Sequence, residues 1–219
     1  MDSFRHRGQR KRLIDDLRAT GRYADKVLDV MANIPRHSFL ESSFHEKAYV
    51  DQAWPIACEQ TISQPSTVAW QTTLLELLPR QHVLEIGTGS GYQAAVLSLL
   101  GGRVFTIERH QALYRQAKLN FKRLRLDRIR TYLRDGMKGL PELAPYDRIL
   151  VTAGAAAVPP TLREQLKVGG ILVIPVGPRD GEQRMLRIVR TGKESWTEEE
   201  LGGCQFVPLL EGVNKDGGR

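Results

Sequence analysis

Apolar positions along the first part of the chain recur at helical spacing. Leu13, Ile14 and Leu17, then Val27, Leu28 and Met31, fall on either side of Gly21, and Pro35 follows. This periodicity predicts two short amphipathic helices between about 10 and 34. A polar stretch through Ile56 leads to Gln60-Thr61-Ile62-Ser63-Gln64-Pro65, where a hydroxyl residue followed by proline reads as a helix entry. The helix is expected to run to about residue 78, with Trp70, Leu74 and Leu77 or Leu78 on its inward stripe.

Beyond Pro79 the pattern changes to short apolar runs separated by helical segments. It predicts strands at 83–86, 104–107, 129–133, 148–152 and 171–175, with helices at 93–100, 111–126 and 160–166 between them. Strands alternating with helices imply right-handed crossovers and a parallel sheet. The runs 185–189 and 205–210 have no helix between them and are expected to pair antiparallel at one edge. The fold class is therefore α/β: Rossmann-like, a mostly parallel seven-stranded sheet with an antiparallel edge pair and an N-terminal helical elaboration. With no repeat and no clean linker, the expected partition is one domain over 1–219. It comprises an N-terminal, substrate-side segment (1–65), a core (66–211) and a tail (212–219).

Composition narrows the class. The 219 residues suffice for a substantial core, and 41% apolar with 26% charged residues excludes wholesale disorder. The longest uncharged run, 86–102, is a glycine loop and short helix, so no membrane helix is expected. The N-terminus lacks the apolar stretch of a secretory signal. Cys58 and Cys204 stand too far apart in sequence for a disulfide framework or zinc knuckle, which makes a reducing cytoplasm the expected compartment.

The net charge of +7 raises a nucleic-acid partner, and its distribution changes that picture. Arg115, Lys118, Lys122 and Arg125 recur on the 111–126 helix away from Leu113, Ala117, Phe121 and Leu124. That is the solvated face of a sheet-covering helix, with mild steering of acidic peptides at most.

The most informative segment is Val83-Leu84-Glu85-Ile86-Gly87-Thr88-Gly89-Ser90-Gly91-Tyr92. A strand entering a Gly-x-Gly-x-Gly turn before a helix lets backbone approach a ligand closely. The dinucleotide fingerprint needs a third glycine where Tyr92 stands, so the spacing suits a nucleoside ligand without a pyrophosphate. Glu108 ends the next strand, where a carboxylate can accept both ribose hydroxyls; the alternative is a solvated strand-end acid. Asp135-Gly136 follows the third strand, either facing an adenine amino group or simply forming a turn. Glu85 inside an apolar strand needs a partner, because an unpaired buried carboxylate costs several kcal/mol. Loop N–H groups or the ligand are the candidates.

The glycine loop resembles the first motif of class I S-adenosylmethionine-dependent methyltransferases. Gln60-Thr61-Ile62-Ser63-Gln64-Pro65, Thr106-Ile107-Glu108-Arg109, Ala144-Pro145-Tyr146-Asp147, Pro175-Val176-Gly177 and Phe206-Val207-Pro208-Leu209 together resemble the protein-L-isoaspartate O-methyltransferases. The likeness extends from Ile34 to Leu210. It implies S-adenosylmethionine on the loop Gly87, Thr88, Gly89, Ser90 and Gly91, with Glu85, Arg109 and Thr152 in the same site. It also implies Glu108 on the ribose, Asp135 and Gly136 near adenine, and Ser63 as the active-site hydroxyl beside the wall residues Thr61 and Ile62. Three positions depart from the family pattern: Ala57-Cys58-Glu59 stands where glycines are usual, Met137 follows Gly136, and Thr152-Ala153-Gly154 replaces Thr-Ala-Ala.

The implied reaction transfers a methyl group to an isoaspartyl carboxylate, starting repair through a succinimide and yielding S-adenosylhomocysteine. Such a carboxylate, with a pKa near about 3.5, is already ionised at neutral pH and needs no strong general base. His6, His37, His45, His82 and His110 accordingly match no triad or metal spacing, and no metal is expected. The enzyme must supply alignment, worth roughly 7–11 kcal/mol in favourable cases. Ser63 can be a donor to the carboxylate or cap the following helix. The expected partners are isoaspartyl peptides and flexible protein segments, with no membrane or nucleic acid, and the expected state is a monomer. Competing readings are an RNA methyltransferase, a non-catalytic adenosyl-ligand binder and a nicotinamide dehydrogenase. An Asn/Asp-Pro-Pro-aromatic motif would favour the first, but Pro159-Pro160 is followed by Thr161.

Overall fold

Residues 2–179 and 181–215 are described by a computed structural model. Two N-terminal helices, α1 (Phe4–Ala19) and α2 (Asp25–Asn33), are followed by a small hairpin of β1 (Trp54–Pro55) and β2 (Thr61–Ile62) and by α3 (Pro65–Leu74). The core continues with β3 (His82–Ile86), α4 (Tyr92–Leu99), β4 (Arg103–Glu108), α5 (Gln111–Arg123) and β5 (Arg130–Leu133). Then come β6 (Tyr146–Val151), α6 (Pro160–Glu164), β7 (Leu166–Val176), β8 (Gln183–Arg190) and β9 (Trp196–Cys204).

The large sheet has the order β5-β4-β3-β6-β7-β8-β9. Its first five strands are parallel, and β8 and β9 run antiparallel at the edge. The order reverses at β3, so the loops after β3 and β6 diverge and open a crevice at the strand ends, where ligands bind in such sheets. Alternation splits the strands between two cores. Val83, Leu150 and Val173 pack with Leu97 and Phe121, while Leu84, Ile149 and Leu172 pack with Leu162 on the other face. The N-terminal helices close a third cluster around Met31, Val68 and Tyr92.

Three elements differ from the sequence expectation. The first helix begins at Phe4, with Ser3 capping it through the backbone N–H of His6. The third ends at Leu74, just before Glu76 turns left-handed. Val68, Ala69, Gln71 and Thr72 are buried, Trp70 and Leu74 pack half-buried against the core, and beyond the helix end Leu77 is buried while Leu78 is exposed. The edge partner of β8 is Trp196–Cys204 rather than 205–210. Its run of Glu198, Glu199 and Glu200 carries no apolar alternation because it is a solvated outer strand, and charge on such an edge discourages further pairing. Glu198 pairs with Arg163 at 2.6 Å.

The segment 205–214 instead crosses the strand ends as a strap. Gly154 exchanges backbone hydrogen bonds with Val207 and Leu209, and Asn214 does so with Arg109 and Gln111. Residues 212–214 of the expected tail are therefore tied down, and 216–219 lie outside the described residues.

Candidate active site

The crevice holds a cavity of about 840 Å³, its open mouth included, within the range of small-molecule sites. Its floor is the turn from β3 into α4. Gly87, Gly89 and Gly91 all adopt left-handed φ, and the N–H groups of Gly87 and Thr88 both bond to the carbonyl of Ile107. A Cβ at Gly87 would lie 2.5 Å from Thr152 Oγ1, and one at Gly91 would lie 2.6 Å from the Phe121 ring. The loop therefore needs glycine on two counts, conformation and close approach. The Thr152 hydroxyl donates to the carbonyls of Ile86 and Gly87, joining the end of β6 to the loop.

Glu108 is buried at the end of β4. Its Oε2 accepts from the N–H of Gly89 and its Oε1 from that of His110, both at 2.8 Å. Arg109 lines the cavity but turns its guanidinium onto the strap, donating to the carbonyls of Glu211 and Gly212. Burial lowers the pKa of His110, which favours its neutral form.

The β1–β2 hairpin forms another wall. Its turn holds both Cys58 and Glu59 at positive φ, the geometry for which two-residue hairpins usually select Asn-Gly. The replacement of the usual glycines thus leaves the left-handed backbone in place. Ile56 packs 3.5 Å from where a Gly89 Cβ would stand, and Thr61, Ile62 and Ser63 face the cavity. Ser63 does not cap α3. Gln64 holds the cap position, and Asp51 Oδ1 takes the N–H of Ser66 at 2.8 Å.

Of the residues singled out from sequence, Thr61, Ile62, Ser63, Gly87, Thr88 and Gly89 converge on the cavity, as do Ser90, Glu108, Arg109, Gly136 and Thr152. Glu85, Gly91 and Asp135 stand behind the wall. Glu85 takes neither loop N–H groups nor a place on the cavity surface; its Oε2 lies 2.5 Å from Thr106 Oγ1. Asp135 accepts from the N–H of Met137 and so makes the turn that brings Gly136 to the wall. Sequence reasoning missed Tyr92, Gln93 and His110, and it missed that Val207, Pro208 and Leu209 form the roof. The Phe-Val-Pro-Leu motif was the available signal for the roof, but its apolar content resembles a strand.

The family model described as protein-L-isoaspartate(D-aspartate) O-methyltransferase matches residues 8–214. A protein-L-isoaspartate O-methyltransferase of Christiangramia forsetii is 50% identical over 213 residues, 97% of this chain and 99% of that one. One of Cytophaga hutchinsonii is 51% identical over 216 residues, covering 99% and 96%. A solved protein-L-isoaspartate O-methyltransferase superposes with a TM-score of 0.84 at 30% identity, over 93% of this chain and 67% of the other.

Proposed function

The chain belongs to the protein-L-isoaspartate(D-aspartate) O-methyltransferase family, and from that premise we propose that it methylates isoaspartyl carboxylates in damaged proteins, with S-adenosylmethionine as methyl donor. One observation carries the reading: the glycine loop, the Thr61–Ser63 wall and the 207–210 roof enclose a single cavity.

The residues present fit an adenosyl cofactor. A Cβ would meet Thr152 at Gly87 and Ile86, at 2.4 Å, at Gly136, so backbone alone meets the ligand there. Glu108 spends one lone pair of each oxygen on backbone and keeps the others for ribose hydroxyls. Gly87, Thr88, Gly89, Ser90 and Gly136 would hold the cofactor, with Thr61, Ile62, Arg109 and Thr152 completing its walls. Asp135, Gly91 and Glu85 support that surface from behind. When bound, the cofactor supplies an electrophilic methyl group on a sulfonium sulfur.

The chain's own part is alignment and exclusion of water. Ser63 donates its hydroxyl to one oxygen of the substrate carboxylate and leaves the other oriented for in-line attack. No base is needed, because an isoaspartyl carboxylate is ionised at neutral pH. The roof keeps the site dry, which favours a reaction that disperses opposite charges. The methyl ester product is then open to attack by the following backbone nitrogen, and hydrolysis of the resulting succinimide returns some normal aspartyl linkage. Substrates are flexible segments, the protein acts as a monomer without a nucleic-acid partner, and it works in the cytoplasm. No helix among the described residues is long and apolar enough to cross a membrane.

The test uses labelled S-adenosylmethionine and two peptides differing only in isoaspartyl or aspartyl linkage. Base-labile label is expected on the isoaspartyl peptide alone. Equal labelling of both, or labelling of RNA instead, would overturn the proposal.

A further inference from the structure

Glu85 is fully buried in β3, and its Oε1 meets no donor among the described residues. Its Oε2 lies 2.5 Å from Thr106 Oγ1, which in turn lies 2.6 Å from Thr88 Oγ1. This chain of three groups starts in the core and ends at the cavity, since Thr88 lines it and Glu85 does not.

Among the described residues, no cation pairs with Glu85. Helices α3 and α4, which cover the face it shares with Val83, contain no ionisable side chain except Tyr92. Helix α5 buries Leu113, Ala117, Asn120 and Phe121 there and leaves its lysines and arginines exposed. Leu150 of β6 stands beside it, Arg148 on the same face turns its guanidinium away to the carbonyls of Leu75, Glu76 and Asp147, and the charge that reaches Glu85 is the like charge of Glu108. A buried carboxylate with an unsatisfied oxygen and no cation is strongly disfavoured. Burial pushes this carboxyl up to about 8, against the smaller lowering effect of the Thr106 hydrogen bond.

We propose that Glu85 is a proton-linked positioning residue, which is protonated before the cationic cofactor enters, loses that proton on its entry, and orients the Thr88 hydroxyl through Thr106. The inference rests on S-adenosylmethionine being the cofactor. Its sulfonium and ammonium outweigh its one carboxylate, and a net positive charge nearby favours the ionised form of an acid. On release, the carboxyl O–H bond breaks and its electron pair stays on Glu85. The proton passes by way of the Thr106 and Thr88 hydroxyls to solvent in the cavity.

Calorimetric titration of S-adenosylmethionine into the protein at pH 7, in two buffers of different ionisation enthalpy, counts the protons released. Release approaching one per cofactor is expected, and Glu85→Gln should bind without it. Identical heats in both buffers for the wild type, or unchanged release in Glu85→Gln, would overturn the proposal. A second measurement needs only the wild type. Between pH 6 and 7.5 the affinity for S-adenosylmethionine should rise up to about tenfold per unit relative to that for S-adenosylhomocysteine, which lacks the sulfonium. Parallel pH profiles for the two ligands would overturn it as well. Absence of any binding heat would instead refute the cofactor reading.

Discussion

One oxygen of the Glu108 side chain holds the backbone N–H of Gly89 at 2.8 Å, so the acid at the end of β4 fixes the middle of the loop that follows β3. The other oxygen holds His110, at the start of α5. A residue read from sequence as a ribose acceptor is therefore also the fastener between the two strand ends that floor the cavity.

Replacing it with glutamine tests this double role. Glu108→Gln turns one carboxylate acceptor into an amide N–H₂ that faces a backbone N–H and cannot accept it. Hydrogen bonds to charged groups are worth about 1.5–3 kcal/mol each. Affinity for S-adenosylhomocysteine should fall at least about tenfold, and the thermal midpoint should fall with it. An unchanged midpoint with weakened binding would remove the fastening role and leave only ligand contact.

Ser63 separates alignment from binding. Its hydroxyl belongs to the cavity and not to the cap of α3, where Asp51 bonds the first-turn N–H. Ser63→Ala should lower turnover by roughly tenfold or more, as loss of a positioning donor does, with cofactor affinity within about twofold of wild type. Weakened cofactor binding with normal turnover at saturation would contradict the role.

The parts of this molecule that were legible in sequence share a physical basis. Leu84 and Ile86 are apolar because both faces of β3 are covered, and Gly87 is glycine because Thr152 leaves no room for a Cβ. Strand β9 was hidden because its central Glu198, Glu199 and Glu200 answer to solvent and to Arg163, and only Trp196, Leu201 and Cys204 near its ends pack against the cores. The strap was hidden because Val207 and Leu209 line a cavity half-buried while, among the described residues, their backbones pair with the single residue Gly154. The fastening of Gly89 by Glu108 joins residues that become neighbours only after β3 and β4 pair in register.

Arg109 tests the strap. Its guanidinium reaches the carbonyls of Glu211 and Gly212 in an exposed setting, where such contacts contribute about 1 kcal/mol together. Arg109→Ala should speed dissociation of S-adenosylhomocysteine by about fivefold and raise amide exchange across 205–214, leaving exchange in β3 unchanged. Equal exchange in both proteins would mean that the backbone bonds made by Gly154 and Asn214 hold the strap without the arginine.

His37 sets an acid limit on stability. Arg10 donates to Tyr49 Oη, which also pairs with His37 Nδ1 at 2.8 Å, and a neutral ring lets Nδ1 take the Tyr49 hydroxyl proton while a protonated one places a second cation beside Arg10. Burial, together with the neighbouring His6, lowers the pKa of His37 to about 4 from an ordinary value near 6.5. The unfolded chain therefore takes up this proton first. The histidine's contribution to stability is complete above about pH 6.5 and is lost as the pH falls towards 4. Urea midpoints measured from pH 7 to 5 should decline more steeply for the wild type than for His37→Gln, which has no proton to gain. The comparison cancels Glu85, whose raised pKa gives a slope of opposite sign, with stability falling as pH rises from 4.5 towards 8. Equal slopes in the two proteins would mean that His37 protonates without disturbing the Arg10–Tyr49 pair.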